Sequence, residues 1–376
     1  MNKLIFLGGE DVSARIEISK KFISLGYNIE IIGTEKEDKF LENSIPYRKY
    51  KLNRELNLVS DIKTILELRK ILKEQKKETI IHAFDTKPTM FLPIAAIGLK
   101  HIKVARTITG MGRIFTENSL KNKTLRIVYN FIQKIISKKV DFTIFQNSDD
   151  YDYFIENFLV SQDKAEIVKS SGIDLDKYTK NIDSTQIERL KDELGLDKKQ
   201  ITIILVSRIV RQKGILNYLE ATKYCFDNGY KFNFLLVGQL DSDNFITKDE
   251  INKYSEYVKY LGRREDVKEL LALSDIFVLP TYYREGVPRV LLEASALGLA
   301  LIATNMPGCK DVVEDEYNGK LIKIKNSQDL YEKMIYIVKN DLIEKFGKNA
   351  KEKVKMFDLN IVVKNYDKIY KKLGDY

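Results

Sequence analysis

Short apolar runs alternate with longer amphipathic stretches along this chain, and the alternation starts afresh near residue 200. In the first set, Leu4–Leu7, Asn28–Ile32, Thr79–His82, Lys103–Thr107 and Thr143–Phe145 are rich in β-branched and aromatic residues. Runs of that length and composition read as strands buried on both faces. Between them lie stretches with helical spacing of apolar residues, of which the charged, amphipathic Asp61–Lys76 is the clearest. This β-α-β rhythm predicts a parallel sheet extending to about Tyr178. A polar, lysine-rich stretch, 180–200, links the halves and supplies the entry helix of a second set. That set begins with Ile201–Val206 and continues through Phe234–Val237 and Asp275–Pro280. The last stretch, Asp358–Leu373, places Ile361, Val362, Tyr366 and Ile369 at helical spacing, with Tyr370 beside them. No repeat of 20–50 residues and no low-complexity tract appears. The expectation is an α/β protein of two doubly wound parallel-sheet domains, 1–180 and 181–357.

Bulk properties narrow the class. At 376 residues, with 44% hydrophobic residues and only 6 prolines, the chain can bury two cores and is not disordered. Its two cysteines, Cys225 and Cys309, form neither a disulfide framework nor a metal cluster, which fits a reducing cytoplasm. The first residues run straight into a strand and do not read as a signal peptide. No stretch reaches the roughly 20 apolar residues of a membrane span. Net charge is +9, and the excess is local: through Val140 there are 27 Lys and Arg against 15 Asp and Glu, whereas the remainder is slightly acidic. Basic surfaces attract nucleic acid or anionic membrane. No nucleic-acid-binding pattern is present, so no nucleic-acid partner is expected. Residues Asn118–Lys139 carry Lys121, Lys123, Arg126, Lys134, Lys138 and Lys139 and no acid, with Leu125, Val128, Phe131, Ile132 and Ile135 at helical spacing. That pattern suits a helix lying on an anionic membrane surface, and equally a core-packed helix with a solvated basic face.

Candidate chemistry concentrates in the second half. Residues 285–293 read Glu-Gly-Val-Pro-Arg-Val-Leu-Leu-Glu, between the apolar run that ends at Pro280 and a helix over Val290–Gly298. Glu285 therefore sits on a loop leaving a strand's carboxyl end. Gly286, Val287 and Arg289 can offer backbone N–H groups to an anion at the helix start. Glu293 lies further along the helix, able to share a crevice with Glu285. Arg208 and Lys213 follow the carboxyl end of the Ile201–Val206 run, just before a helix beginning near Gly214. Ligands of doubly wound sheets bind at such strand ends. Two cations there would neutralise a diphosphate leaving group without a metal.

These segments resemble the E-x7-E and G/S-R-x4-K motifs of family 4 retaining glycosyltransferases. Further markers fall in that family's order. They are Ser171–Tyr178 (a G-[IV]-D-x3-[FY] segment), Phe234–Gly238, Tyr260–Arg263, and Pro307–Val313 with Asp311 where glutamate is commoner. The resemblance covers nearly the whole chain. It implies a GT-B architecture: two Rossmann-like domains with a cleft between them, and a terminal helix, 358–376, crossing back to the first domain. It implies that Glu285 meets the hydroxyls of the donor sugar, that Glu293 meets the ribose, and that Arg208 and Lys213 clamp the diphosphate. Gly238, Gly262 and Arg263 would border the nucleotide. UDP-sugar would be a substrate, with no cofactor and no metal.

In the first half, Gly8-Gly9 follows the first strand, where a ligand can approach the backbone. The missing G-x-G-x-x-G argues against a dehydrogenase-type site. Ala83–Thr89 and Thr107–Thr116 follow the third and fourth strands, making Lys87, Thr109, Gly110 and Arg113 candidates for contact with the acceptor. The T-K-P and T-G-M-G-x-x-F-T segments resemble a subgroup adding hexosamines such as N-acetylgalactosamine to undecaprenyl-diphosphate-linked glycans. The acceptor implied is polyprenyl-diphosphate-linked, at the inner face of the cell membrane. The chain's two histidines offer little to catalysis: His82 ends a buried strand and reads as a satisfied core residue, His101 as a loop residue. Asp174-x-Asp176 and Asp241-x-Asp243 could hold Mg²⁺ only with substrate phosphates, and read as structural or solvated. Two other classes remain in view. One is an epimerase of the same architecture, which would need histidines and carboxylates near the sugar; the other is a silent sugar-nucleotide-binding partner.

Overall fold

The computed structural model describes residues 3–53, 55, 57–116, 119–180, 182–241 and 246–374. The chain forms two compact units, the first made of residues up to Gly172 together with those from Leu359, the second of Ile173–Asp358.

The sheet of unit 1 has seven parallel strands: β1 (Lys3–Leu7), β2 (Asn28–Gly33), β3 (Tyr47–Lys49), β4 (Thr79–Ala83), β5 (Ile102–Ile108), β6 (Phe142–Phe145) and β7 (Ala165–Ile167). Their order is β3-β2-β1-β4-β5-β6-β7. Central strands are apolar on both faces because helices cover both. Leu4 and Phe6 of β1 point to one face, where they join Phe22, Tyr366 and Tyr370 of the helices Ile16–Ser24 and Leu359–Leu373. Ile5 and Leu7 point to the other, against Leu68, Leu72 and Leu92 of the helices Leu58–Lys73 and Thr86–Ala95. The terminal helix thus completes one face of this core. His82 on β4 is fully buried beneath it, one ring nitrogen bonded to the Tyr370 hydroxyl and the other 2.6 Å from Thr107 Oγ1. Burial, with the charge of Arg15, holds its pKa well below the ordinary value, so the ring is neutral. It is the satisfied core histidine that its position in a buried strand suggested.

Unit 2 has six parallel strands: β8 (Thr202–Val206), β9 (Asn233–Val237), β10 (Lys259–Tyr260), β11 (Ile276–Leu279), β12 (Ala300–Thr304) and β13 (Gly319–Ile322), ordered β10-β9-β8-β11-β12-β13. Alternate residues again divide between two clusters, Ile204, Phe277 and Leu301 on one face and Ile203, Val278 and Ile302 on the other.

The sequence reading names no strand at β10, β12 or β13, nor at β3 and β7, three-residue edge strands that are mostly half-buried and hold charged residues within them. An edge strand needs no apolar run, since only one of its sides is paired. The Leu58–Lys73 helix starts three residues before the expected Asp61, because the Asn57 side chain caps it by accepting the Ser60 N–H at 3.0 Å. Each sheet has one strand where the order turns, β1 between β2 and β4, and β8 between β9 and β11. The loops leaving those strands carry Gly8, Gly9, Arg208 and Lys213, and the other candidate residues follow other strands of the two sheets.

Candidate active site

In unit 2, glycines bring the loops at the carboxyl ends of the strands together, backbone on backbone. A Cβ on Gly214 would lie 2.0 Å from the Pro280 carbonyl oxygen, and Gly214 has φ +72°, which L side chains rarely adopt. The Gln212 carbonyl accepts from the Tyr282 N–H (2.9 Å) and the Thr281 hydroxyl (3.1 Å), fastening the loop after β8 to the loop after β11. Gly238 packs on the Ser207 carbonyl, donates its N–H to the Gly262 carbonyl at 2.8 Å and accepts from the Tyr260 hydroxyl at 2.9 Å. Gly308 packs on the Gly286 carbonyl. Five loops are thereby held as one rim.

Lys213 and Glu285 meet on that rim. The ammonium lies 2.7 and 2.9 Å from the two carboxylate oxygens, both side chains being largely buried. Arg208 stands apart from them, half-exposed and 2.8 Å from Asp241, which reads from sequence as structural or solvated. Asp243 lies outside the described residues. Glu293 sits on the Arg289–Leu297 helix, its Oε1 accepting from the Tyr178 hydroxyl at 2.6 Å and from Arg289 Nε at 3.1 Å. Arg289, expected only as a backbone donor, thus also supplies a side chain. Arg263 forms an exposed pair with Glu265 (2.9 Å), and Val287 packs half-buried on the core. Asp311 Oδ2 accepts the Gly308 N–H at 3.2 Å, so its short side chain caps the turn. Cys309 is fully buried here; burial and then the Glu285 charge raise its thiol pKa, leaving it protonated and inert. Asp174 precedes the Leu175–Thr179 turn, and Asp176 pairs with Lys180 at 3.2 Å in solvent.

Unit 1 presents a different rim. Gly8 donates to the Ile32 carbonyl and accepts from Tyr50, while Gly9 N–H reaches the Asp85 carboxylate at 2.8 Å. Asp85 holds φ +67° and ψ 158°, a strained conformation for any residue but glycine. It lines a small recess with Thr86, Thr89, Thr107, Thr109 and Gly110. Lys87 instead turns to Asp61 and the Glu55 carbonyl, both at 2.6 Å. Arg113 begins a 3-10 turn; its side chain lies outside the described residues. Sequence reasoning passed over Asp85 and Tyr178 as individual residues, though both stand in segments it had marked. Only the aromatic position closing the Ser171–Tyr178 motif signalled Tyr178, and nothing signalled Asp85.

Among solved structures, the fold matches a glycosyltransferase from Rickettsia africae, with TM-score 0.81, 20% identity and coverage of 99% and 98% of the two chains. It also matches the HepE protein of Anabaena in complex with UDP, with TM-score 0.79, 16% identity and coverage of 99% and 100%. Two Rossmann-like parallel sheets of this kind define the GT-B class. Residues 186–353 match the family of glycosyl transferases group 1, and residues 3–139 match the glycosyl transferase 4-like family. The chain is 32% identical over 317 residues to the N,N'-diacetylbacillosaminyl-diphospho-undecaprenol alpha-1,3-N-acetylgalactosaminyltransferase of Campylobacter jejuni, covering 84% of this chain and 82% of the relative. It is 29% identical over 325 residues to the UDP-Gal:alpha-D-GlcNAc-diphosphoundecaprenol alpha-1,3-galactosyltransferase of Escherichia coli, covering 85% and 80%. This chain belongs to the group 1 glycosyltransferases and is an enzyme.

Proposed function

We propose that this glycosyltransferase moves a sugar, an N-acetylhexosamine such as N-acetylgalactosamine, from a UDP-sugar to an undecaprenyl-diphosphate-linked glycan, with retention and without a metal. The names of the Campylobacter and Escherichia relatives support the acceptor class. The observation that carries the chemistry is the Lys213–Glu285 pair at the end of the strand where the sheet order turns. An entering diphosphate takes the ammonium, which frees the Glu285 carboxylate to accept from the sugar hydroxyls. Arg208 exchanges Asp241 for the same phosphates, so two cations absorb the charge that grows as the C1–O bond breaks. A phosphate oxygen of the departing UDP takes the proton from the acceptor hydroxyl on the face it has just left. The new C1–O bond therefore forms on that face, and no enzyme nucleophile is required. Glu293 holds the ribose.

The acceptor is lipid-linked, and unit 1 has a surface suited to reaching it. On the helix Leu120–Ile136 the side chains of Leu120, Ile127, Val128, Phe131 and Ile135 are exposed, Leu120 by 83%. Leu125 and Ile132, expected in the same stripe, are half-buried instead. Lys121, Lys123 and Lys134 flank the exposed stripe, whereas Arg126 is held by the Ile114 carbonyl at 2.8 Å. An apolar face rimmed with lysines inserts shallowly among anionic lipids. Among the described residues, no helix is long and apolar enough to cross a membrane.

The test is direct. The enzyme is given undecaprenyl-diphosphate-linked saccharides with UDP-N-acetylgalactosamine, UDP-N-acetylglucosamine or UDP-galactose, with and without chelator, and the glycolipids are read by mass spectrometry and NMR. An α-linked, chelator-insensitive product is expected. A β-linked product overturns retention, and loss of product with chelator overturns metal independence.

A further inference from the structure

Glu293 is reached by two donors, and among the described residues both bond to the same oxygen. The Tyr178 hydroxyl, 2.6 Å away, and Arg289 Nε, 3.1 Å away, converge on Oε1. A carboxylate has about four lone-pair sites over its two oxygens, so this arrangement commits one oxygen to the protein and leaves Oε2 for a ligand. Tyr178 is 7% exposed and packed in the core of unit 2, a position in which phenylalanine would fill the same space without the donor. The hydroxyl therefore answers to Glu293 and not to packing alone. An exposed glutamate would lose side-chain freedom on binding a diol; one already held in its rotamer loses little.

We propose that Tyr178 is a positioning residue for the nucleotide: it fixes the Glu293 carboxylate so that Oε2 accepts from the ribose hydroxyls of the UDP-sugar. This rests on the assignment of Glu293 to the ribose given above. Tyr178 touches neither the sugar nor the phosphates in this scheme, so it acts on nucleotide binding and not on the bond that breaks.

The experiment compares UDP with 2',3'-dideoxy-UDP for binding to the parent and to Tyr178→Phe, alongside KM and kcat with the UDP-sugar. In the parent, removing the ribose hydroxyls weakens binding. In Tyr178→Phe, KM rises roughly tenfold, as for loss of a hydrogen bond to a charged group, with kcat within about twofold. The preference for UDP over the dideoxy analogue shrinks by the same factor. In a Glu293→Ala background the Tyr178→Phe change adds nothing further. A parent indifferent to the ribose hydroxyls overturns the ribose assignment, and this proposal with it. A parent that discriminates, with a Tyr178→Phe variant that discriminates equally, overturns the positioning role alone, even if overall affinity falls. Additive losses in the double variant do the same.

Discussion

At the carboxyl end of β1 the space where the strand order turns is filled by neutral backbone, a tyrosine hydroxyl and one carboxylate, Asp85. At the carboxyl end of β8, the equivalent place in the other sheet, two ion pairs stand ready, Lys213–Glu285 and Arg208–Asp241. The same topology thus produces a rim of backbone groups, one hydroxyl and one carboxylate in one unit and a rim of paired charges in the other. On the function proposed above, the threonine-lined recess beside Asp85 would take a neutral polyol and the paired cations a diphosphate that displaces their carboxylates. The units differ on their outer surfaces as well. No large apolar side chain described in unit 2 is more than half exposed, Phe226 reaching 49%, while unit 1 exposes Leu58, Val59, Ile62 and Leu66 on one helix and Leu120, Ile127, Phe131 and Ile135 on another. Exposed apolar side chains clustered on two helices are the feature the proposed membrane contact would use.

The contrast can be broken first at the charges. Lys213→Ala and Arg208→Ala should each lower kcat/KM by on the order of 100-fold, about 3 kcal/mol, with the fold intact by circular dichroism. Parental turnover in both would mean the rim of charges does not serve the phosphates. Glu285→Gln should keep near-parental affinity for UDP by calorimetry and lose most transfer, whereas Glu293→Gln should lose affinity first. Full activity in Glu285→Gln would sink its assignment to the donor sugar. A smaller effect separates glycines by what surrounds them. Gly214→Ala forces a Cβ against the Pro280 carbonyl and should destabilise unit 2 by about 3 kcal/mol in urea unfolding. Gly262→Ala, with φ +66° but open space around it, should cost about 1 kcal/mol; equal costs would refute the close loop packing. On the membrane side, reversing the charges of Lys121, Lys123 and Lys134 should weaken binding to anionic liposomes by roughly 1 kcal/mol per residue at low salt, and added salt should do likewise. Salt-independent binding would leave the apolar stripe without its lysine rim. The smallest effect is on pH. His82 is neutral when folded and takes up a proton when unfolded, so stability present above about pH 6.5 should fall as pH drops through that value. A His82→Gln variant should show a flatter decline in Tm below pH 6.5.

What could be read from the chain alone follows the same division. Central strands such as β1, β4 and β11 declare themselves because burial on both faces leaves them largely apolar, and the rim of unit 2 because Arg208, Lys213, Glu285 and Glu293 are charged residues at fixed offsets from strand ends. The rim of unit 1 was harder to read. Asp85 depends on a backbone conformation that sequence does not express, and Lys87, promising on the page, is taken up by Asp61 from a helix 26 residues away. Tyr178 and Asp241 were hidden for another reason: their partners lie 115 and 33 residues distant, and no local spacing reports a contact between loops. The exposed stripe on Leu120–Ile136 was half legible. Periodicity found the helix, but not that Leu125 and Ile132 are half-buried while their neighbours in the stripe are exposed.

The terminal helix carries one more consequence, for the order in which the molecule is made. Val362, Tyr366 and Tyr370 close the same apolar cluster as Phe6 and Phe22, yet all of Ile173–Asp358 is translated between them. A nascent first unit therefore leaves the ribosome with one face of its sheet covered only in part, by the helix Ile16–Ser24, and with His82 lacking its Tyr370 partner. The second unit, contiguous in sequence, can fold at once, whereas the first waits for a helix translated after it. During that interval the open sheet face is the part of the nascent protein that a chaperone has most reason to shield.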